Sequence, residues 1–417
     1  MSNSNANNKS ESDVIRTSNT TSAKPKVKIK IIGIGGAGGN ILTRMYKKKA
    51  DGVDFVAVNT DTQGLHFTKA DEKINIGLNI TRGLGAGMDP EIGRKSAEES
   101  SKEIAEMLGT PDLIFITSGL GGGTGSGAAP IISKIAKETG AIVVAVVTKP
   151  FFFEGPKRME IAETAWEQLY QNVDSMITIN NDRIFNVIDK DTPILDAFKQ
   201  IDEILKQGVQ GISDLINFPG LINLDFANLK TILKNSGESI IGIGKAVGKD
   251  RAVKAAKAAI ESPLLDLSIK GASRILFNIS GQSDLSLSEI TEAARIITDN
   301  AAKDAKIIFG ASYDNELKNG EIKITVIAGG FGKENEGEEK LVTNDQFISF
   351  YKKESDDFYN TNQKIDGEDD GEEKEEENNE IEINKNDEEG VEEDIEEEKE
   401  EDDIDIPPFL RKFKKMK

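Results

Sequence analysis

The residues best suited to chemistry lie in residues 117–130, which read Thr-Ser-Gly-Leu-Gly-Gly-Gly-Thr-Gly-Ser-Gly-Ala-Ala-Pro. Each glycine loses more backbone freedom on folding than any other residue, so a bound ligand is expected to offset the cost of ordering this run. Because glycine has no Cβ, successive backbone N–H groups can close around an anion, and the positive end of a following helix dipole strengthens the attraction. The run therefore predicts a phosphate-binding loop.

Two further glycine-rich stretches occur at residues 33–40 and 82–90. Gly33, Gly35 and Gly38 satisfy the G-x-G-x-x-G fingerprint of dinucleotide-binding proteins, and Asp61 is a candidate for its acidic partner. An NAD- or FAD-dependent oxidoreductase is therefore one alternative. The chain contains no Gly-x4-Gly-Lys-Ser/Thr, which excludes a P-loop nucleotide-binding protein.

Composition narrows the chemistry further. The chain has no cysteine and a single histidine, His66, so disulfides, thiol nucleophiles, zinc-thiolate sites and multi-histidine metal sites are excluded. We therefore assign no metal ligand among the side chains. No apolar run approaches the roughly 18 residues that span a bilayer, and the N-terminus has no apolar signal-peptide core, so we expect a soluble, cytoplasmic protein.

These loops need strands and helices to hold them. Apolar runs at residues 27–32, 55–58, 113–116, 141–147 and 176–179 predict strands, and helical spacing follows at residues 41–49, 91–108, 131–138 and 157–170. Asp89 and Pro90 are suited to cap and begin the second of these helices. The alternation predicts an α/β fold with a doubly wound parallel sheet, in which ligands collect at the carboxyl ends of the strands.

The second half of the chain has a different pattern. Residues 192–211 predict a long amphipathic helix that could join two domains. After a loop at residues 217–228 and a helix at 229–234, predicted strands at 240–243, 273–279, 306–310 and 321–327 enclose helices at 251–260 and 286–299. We therefore expect a first domain at 27–191, a central helix at 192–211 and an α+β domain at 212–332.

The net charge of −21 is concentrated near the C-terminus. Residues 365–403 hold 24 acidic residues and three lysines, whereas residues 404–417 hold one acid and five bases. Such a segment cannot bury enough apolar surface to fold, so residues 333–403 predict a disordered acidic linker, and the polar residues 1–26 predict a disordered tail. The rest of the chain is close to neutral, and no basic patch indicates nucleic-acid binding.

Together these motifs resemble those of the FtsZ family, the bacterial tubulin-like cell-division GTPases. Residues 121–127, Gly-Gly-Gly-Thr-Gly-Ser-Gly, are similar to the signature of the tubulin superfamily. The resemblance covers about residues 28–331 and the terminal peptide. It is carried by residues 35–40, 59–61, 81–90, 121–130, 148–151, 153–155, 181–182, 210–212, 219–221 and 223–226. It implies a tubulin-like fold, in which a central helix joins a GTP-binding domain to an α+β domain.

The resemblance also implies a GTP site, with GDP as product and Mg²⁺ accompanying the nucleotide. The residues expected near the phosphates are Gly36, Ala37, Gly38, Gly39, Asn40, Ala86, Gly87, Met88, Gly123, Thr124 and Gly125. Those expected at the ribose and base are Glu154, Arg158, Asn181, Phe198 and Asp202. A carboxylate opposite the guanine N1–H and N2–H₂ donors favours guanine over adenine. Read without the family, Glu154 and Arg158 could form a simple i,i+4 ion pair, and Phe198 could be a core residue.

The expected catalytic residues are Asn223, Asp225 and Asn228. The resemblance implies that their loop projects onto the γ-phosphate held by the next subunit, so that assembly into head-to-tail filaments completes the active site. Family members usually have a second carboxylate where this chain has Asn228. An amide can orient a water molecule but cannot accept a proton, so we predict slow hydrolysis and long-lived polymers. A scaffold that binds GTP and polymerises without hydrolysing it is the alternative.

The C-terminal peptide resembles the FtsZ segment that docks onto membrane-tethering and regulatory division proteins. The residues that carry this resemblance are Asp405, Ile406, Pro407, Phe409, Leu410 and Arg411. The alternative is that this apolar and basic end contacts anionic lipid directly. We expect the protein to form the cytokinetic ring at the mid-cell division site.

Overall fold

The computed structural model describes residues 27–47, 52–186, 188, 192–217, 220–222, 224–261, 268–314 and 317–331. The strands are β1 (Ile29–Ile34), β2 (Val53–Asn59), β3 (Glu72–Asn75), β4 (Leu113–Gly119), β5 (Ile142–Lys149), β6 (Ser175–Asn180), β7 (Gly220–Ile222), β8 (Gly237–Val247), β9 (Ala272–Gly281), β10 (Lys306–Tyr313) and β11 (Glu321–Phe331). The helices are α1 (Gly35–Tyr46), α2 (Thr62–Phe67), α3 (Leu78–Thr81), α4 (Pro90–Glu99), α5 (Ser101–Leu108), α6 (Gly123–Glu138), α7 (Pro156–Tyr170), α8 (Ile194–Asn217), α9 (Phe226–Leu233), α10 (Arg251–Ile260) and α11 (Leu287–Asp299).

The first six strands form the predicted doubly wound parallel sheet, in the order β3-β2-β1-β4-β5-β6. The central strands are apolar along almost their whole length because helices cover both faces of the sheet. The strand order reverses between β1 and β4. Such a reversal opens a crevice at the carboxyl ends of the two strands, which is where this sheet type binds ligands.

The second half of the chain forms the predicted α+β domain. Its strands continue the sheet as β8-β11-β9-β10-β7, with β11 antiparallel to both β8 and β9. Only two residues of β8, Gly237 and Glu238, pair with the start of β6. Helices α10 and α11 cover one face of this second sheet around a core of its own, whereas α8 and α9 contribute to a core shared with the first sheet.

The chain just before β8 is tied to the first domain by the buried carboxylate of Asp174, the residue that precedes β6. Asp174 accepts hydrogen bonds from Val143 N (2.9 Å) and Asn235 N (3.4 Å), and its Oδ1 lies 2.6 Å from Lys137 Nζ. Its backbone oxygen also accepts from Ser236 N (2.8 Å). One residue therefore links β5 and α6 to the entry of the second domain.

Several helix boundaries differ from the prediction. Helices α1 and α6 begin inside the glycine runs, at Gly35 and Gly123, rather than after them. The helix predicted at residues 91–108 is two helices that meet at Ser100. Asp89 and Pro90 cap and begin the first of them as predicted.

The central helix and the loop after it also differ. Helix α8 reaches Asn217 rather than ending at residue 211, because its apolar spacing continues. The segment predicted as a loop at residues 217–228 contains β7, which pairs with β10, and the first turn of α9. Residues 1–26 and 333–417, including the C-terminal peptide, lie outside the described residues. No helix in the described part of the chain is long and apolar enough to cross a membrane.

Candidate functional site

Two helix N-termini lie side by side at the point where the strand order reverses. Helix α1 follows β1 directly, and α6 begins four residues after β4. A Cβ placed on Gly35 would lie 3.3 Å from Gly125 N. Neither helix has a side-chain cap or an acidic residue in its first turn. The first backbone N–H groups of both helices therefore have no capping acceptor, and two positive dipole ends converge on one place.

The glycines at this place have two different structural roles. A Cβ on Gly38 would lie 2.6 Å from the Thr117 carbonyl oxygen, and one on Gly39 would lie 2.6 Å from Thr68 Oγ1. These two glycines are buried, and they allow α1 to lie against the sheet at Gly38 and against the end of α2 at Gly39. Gly36 and Ala37 are at the surface, so the α1 N–H groups available to a ligand belong to them rather than to the whole glycine run.

Thr124 lies at the centre of the crevice. Its Oγ1 is 2.6 Å from Oγ1 of Thr60, which is fully buried just after β2. Gly125 packs beneath it, since an added Cβ would lie 2.5 Å from the Gly119 carbonyl oxygen. The Thr60 contact was not predicted, although the polar Asn59-Thr-Asp61 at a strand end was the signal for it. Asp61 caps α2 by accepting from Gln63 N (2.9 Å).

The predicted loop with Ala86, Gly87 and Met88 borders the start of α6. Ala86 is buried against Gly123, where an added Cβ would lie 2.8 Å from the Ala86 Cβ. Gly85 N donates to the Thr60 carbonyl oxygen (3.2 Å). Gly87 and Met88 have positive φ angles of 58° and 66°, and Met88 remains exposed. The loop is thus anchored at one end and open towards the crevice at the other.

Glu154 and Arg158 form an ion pair at the start of α7. Glu154 also accepts from Phe151 N (3.0 Å), and Arg158 Nη2 lies 3.7 Å from Met88 Sδ. A Cβ on Gly121 would lie 3.0 Å from the Arg158 carbonyl oxygen. The pair is therefore both the i,i+4 contact expected of its spacing and part of the wall of the crevice.

The remaining predicted residues line the end of the crevice near β6. Phe198 packs edge-on against the buried Phe151, with ring centroids 5.3 Å apart, and it also contacts the hydrophobic core. Asp202 lies 3.2 Å from Arg44 Nη2. Arg44 was not predicted, although it lies four residues after Asn40 and so on the same face of α1.

Asn181 is the most informative of these residues. It is buried directly after β6, and its Oδ1 has no hydrogen-bond partner among the described residues. A buried acceptor without a partner costs about 1–3 kcal/mol, so a ligand donor at this position would recover that energy.

The expected catalytic residues lie elsewhere. Asp225 caps α9, with Oδ1 accepting from Asn228 N (2.7 Å), and both residues follow the far end of α8. Helix α8 is about 36 Å long, and the crevice residues Phe198 and Asp202 lie in its first half, so about 22 Å of helix separates Asp202 from its C-terminal end. The structure therefore does not bring them to the glycine loops of the same chain. Asn223 lies outside the described residues. Within the described part of the chain, no group of three or more His, Cys, Asp or Glu side chains could hold a metal ion.

Comparison with known proteins identifies the family. Residues 28–189 match the model for the Tubulin/FtsZ family GTPase domain, and residues 237–332 match that for the FtsZ family C-terminal domain. The solved structure described as an empty FtsZ dimer from M. jannaschii is 42% identical, with a TM-score of 0.70, over 74% of this chain and 89% of that one. A point mutant of the same FtsZ matches with the same identity and TM-score, over 73% of this chain and 92% of that one.

More distant structures share the fold. CetZ2 from Haloferax volcanii, solved as a GTPγS-bound protofilament, is 22% identical with a TM-score of 0.65, over 79% of this chain and 100% of that one. Both halves of the chain match FtsZ models and FtsZ is 42% identical over most of its length, so the chain belongs to the FtsZ family of tubulin-like GTPases.

Proposed function

We propose that this protein binds GTP in the crevice between α1 and α6 and polymerises head to tail, so that each subunit's Asp225 and Asn228 reach the γ-phosphate held by its neighbour. The observation that carries this proposal is that Asp225 and Asn228 follow the C-terminal end of α8, which lies about 22 Å of helix beyond Asp202 of the crevice. A second subunit has to supply the missing half. A heterologous contact of this kind propagates into a filament, and CetZ2, which shares the fold, was solved as a protofilament.

The residues of the crevice fit GTP at both ends. The uncapped N-termini of α1 and α6 suit the phosphates, and Thr124 adds a hydroxyl. At the other end, the partnerless Asn181 Oδ1 can accept from the guanine, and the Asp202 carboxylate, which is paired with Arg44, would accept from its N1–H and N2–H₂ donors. Phe198 would stack on the base. With no side-chain metal cluster among the described residues, we propose that Mg²⁺ is bound chiefly through the phosphates.

The surface around the crevice supports self-association. Leu84 is 85% exposed, and Met88, Phe152, Phe153 and Phe185 are each about half exposed. A group of large apolar side chains left open to water marks an interaction surface. We propose that this face meets the next subunit in the filament.

Asn228 determines how fast the filament turns over. Its backbone N–H is fixed by Asp225 and its side chain is partly exposed in the first turn of α9. Asp225 remains to polarise a water molecule, whereas the amide of Asn228 can orient that water but cannot accept its proton. We therefore propose slow GTP hydrolysis.

Phosphate release and sedimentation in one sample test this proposal. We expect GTP-dependent pelleting of the parent, phosphate release that rises steeply with protein concentration, and at least a tenfold increase in release for Asn228→Asp. Asp225→Asn, which can still cap α9, should pellet but release almost no phosphate. A parent rate equal to or above that of Asn228→Asp would refute the role of Asn228. Phosphate release independent of protein concentration would refute the shared site.

The same residue favours a second candidate function, a GTP-binding scaffold of this fold that scarcely hydrolyses. The scaffold would pellet with GTP and release no phosphate above background, and Asn228→Asp would switch hydrolysis on. The first proposal instead predicts slow but measurable release by the parent.

We propose a role in cell division, at the mid-cell site in the cytoplasm, from membership of the FtsZ family. The terminal residues 405–411 would dock onto membrane-tethering or regulatory division proteins. Truncation before Ile404 should abolish binding to such proteins and leave GTP-dependent pelleting unchanged. If truncation instead removes binding to anionic vesicles in the absence of any protein, direct lipid contact replaces this proposal.

A further inference from the structure

Strand β10 has an outer edge that is only partly covered. β7 pairs with it at Ala311 and Ser312 alone. Among the residues that the structure describes, no strand pairs with the outer side of residues 306–309. The backbone N–H and C=O groups on that side are therefore available to a further strand.

The same stretch leaves the core of the second domain incompletely covered. Ile307 and Phe309 lie opposite Ile275 and Phe277 of β9, and the rings of Phe309 and Phe277 stack with centroids 6.0 Å apart. Their inner partners are buried, yet Ile307 is 36% exposed and Phe309 is 43% exposed. An open strand edge with apolar side chains is prone to pair with other chains unless something covers it.

The chain itself contains a segment of matching character. Phe347, Ile348, Phe350 and Tyr351 fall within five positions, in a stretch without charge or proline. Aromatic and β-branched residues of this kind favour strands, and such a segment left exposed is itself prone to aggregate. If residues 347–351 paired with the outer edge of β10, the apolar side chains of both strands would be covered.

The point where the chain leaves the domain makes this pairing possible. β11 ends at Phe331, opposite Ala272, and β10 begins at Lys306, opposite Arg274. The exit therefore lies at the same end of the sheet as the uncovered part of β10, with β9 between them. The outer edge of β10 is about three strand spacings, roughly 15 Å, from β11. Residues 332–346 can span roughly 50 Å when extended, which is more than enough.

We propose that residues 347–351 of the same chain add as a strand to the outer edge of β10 at residues 306–309 and cover Ile307 and Phe309. The backbone supplies the affinity, and the aromatic side chains extend the core of the second domain. The acidic linker would then leave the body beside β10 rather than at the end of β11. The edge would also be closed to other chains. This arrangement does not depend on GTP binding.

Disulfide trapping in the full chain tests the pairing, since the chain has no native cysteine. Lys306→Cys is combined with Ser349→Cys or with Tyr351→Cys, which samples two registers. At least one pair should form a disulfide within one chain under mild oxidation, because paired strands bring Cα atoms within about 6 Å. Lys245→Cys with Ser349→Cys is the matched control, since β8 lies beyond β9 and β11 from β10. Equal trapping in the control, trapping in none of the pairs, or disulfides formed only between chains would overturn the proposal.

Hydrogen exchange provides a second, independent measurement. Amides of residues 306–309 and 347–351 should exchange at least about tenfold more slowly than those of the acidic run 365–403. Phe347→Ser combined with Phe350→Ser should speed the exchange of those amides of residues 306–309 that point to the outer edge, whereas the amides bonded to β9 stay protected. Phe358→Ser combined with Tyr359→Ser is the control and should leave that exchange unchanged. If residues 347–351 exchange as fast as residues 365–403 in the parent, the segment is not docked.

Discussion

The buried side-chain oxygen of Asn181 shows how a single residue can reveal a ligand. Ligands bind at the carboxyl ends of the strands in an α/β sheet, and polar side chains in this crevice such as Thr60 with Thr124 and Asp202 with Arg44 have partners within the protein. Asn181 Oδ1 has none among the described residues. An acceptor left in this state is expected to be completed by a donor on the bound molecule.

Replacing Asn181 should therefore weaken GTP binding. Asn181→Leu removes the acceptor from a buried site, and we expect GTP affinity to fall by about 5- to 150-fold, since such a hydrogen bond contributes about 1–3 kcal/mol. Titration of the parent and the variant with GTP measures this. Asn172→Leu, at a partly exposed position on the same domain, is the control. Equal GTP affinity of parent and Asn181→Leu would show that the base does not reach Asn181.

A second residue-scale prediction concerns acid stability. Arg251 is the buried first residue of α10, and it donates to Glu289 of α11 (2.6 Å) and to Asp284 (2.6 Å). Hydrogen bonding from Arg251 lowers the pKa of Glu289 from 4.5 to about 2, against the opposing effect of partial burial. Because the folded-state pKa lies below the unfolded one, the pair stabilises the fold fully above about pH 4.5, and this contribution is lost as the pH falls towards 2.

The Arg251–Glu289 pair should contribute about 2 kcal/mol at neutral pH after allowance for its partial exposure to water. Arg251→Gln should lower the free energy of unfolding at pH 7 and flatten its pH dependence between pH 4.5 and 2. Urea titrations at several pH values measure both effects. Arg295→Gln, on an exposed i,i+4 pair of the same domain, should change neither by more than about 0.5 kcal/mol. An unchanged pH profile for Arg251→Gln would contradict this assignment.

At the scale of elements, the sequence predicted most of the fold because apolar periodicity determines strands and helices locally. It failed where packing across the molecule decides. Glycine has a low helix propensity, so the sequence of residues 123–127 predicts a loop. In the structure these residues form the start of α6, because only glycine allows α6 to pack so closely against α4 and β4. The contacts of Thr60 and Arg44 join segments distant in sequence, so no local pattern could reveal them.

The close approach of α4 to α6 gives a prediction at this scale. A Cβ on Gly127 would overlap the Pro90 carbonyl oxygen and lie 2.5 Å from Arg94 N. Gly127→Ala should therefore push the helices apart, lower the free energy of unfolding by about 1–3 kcal/mol and weaken GTP binding. Gly208→Ala, inside α8, places the same methyl group at an ordinary contact distance of 3.4 Å from Ile241 and should not lower the free energy of unfolding. Thermal unfolding distinguishes the two variants, and equal melting temperatures would show that α4 can move aside.

At the scale of the whole molecule, two structural connections hold the first and second domains in a fixed relation. Helix α8 runs from the crevice to the segment that carries Asp225, and its apolar face joins the core shared by both halves. Asp174 fixes the other connection, at the entry to β8. A filament whose active site is divided between subunits requires these two ends to keep a fixed relation, so the rigidity of the junction belongs to the function proposed above.

Loosening the Asp174 junction should uncouple the two domains. Asp174→Asn keeps the shape of the side chain but loses the ion pair with Lys137, and its NH₂ group replaces one of the two oxygens and so faces the backbone donor of either Val143 or Asn235. A buried acceptor converted to a donor costs about 2–4 kcal/mol. In calorimetry we expect the second domain of the variant to unfold in a separate transition at lower temperature, and filament assembly to require a higher protein concentration. Asp112→Asn, which removes a carboxylate hydrogen-bonded to Lys28 N at the surface, controls for the loss of charge. A single unfolding transition at the parent's temperature for Asp174→Asn would show that α8 alone holds the domains together.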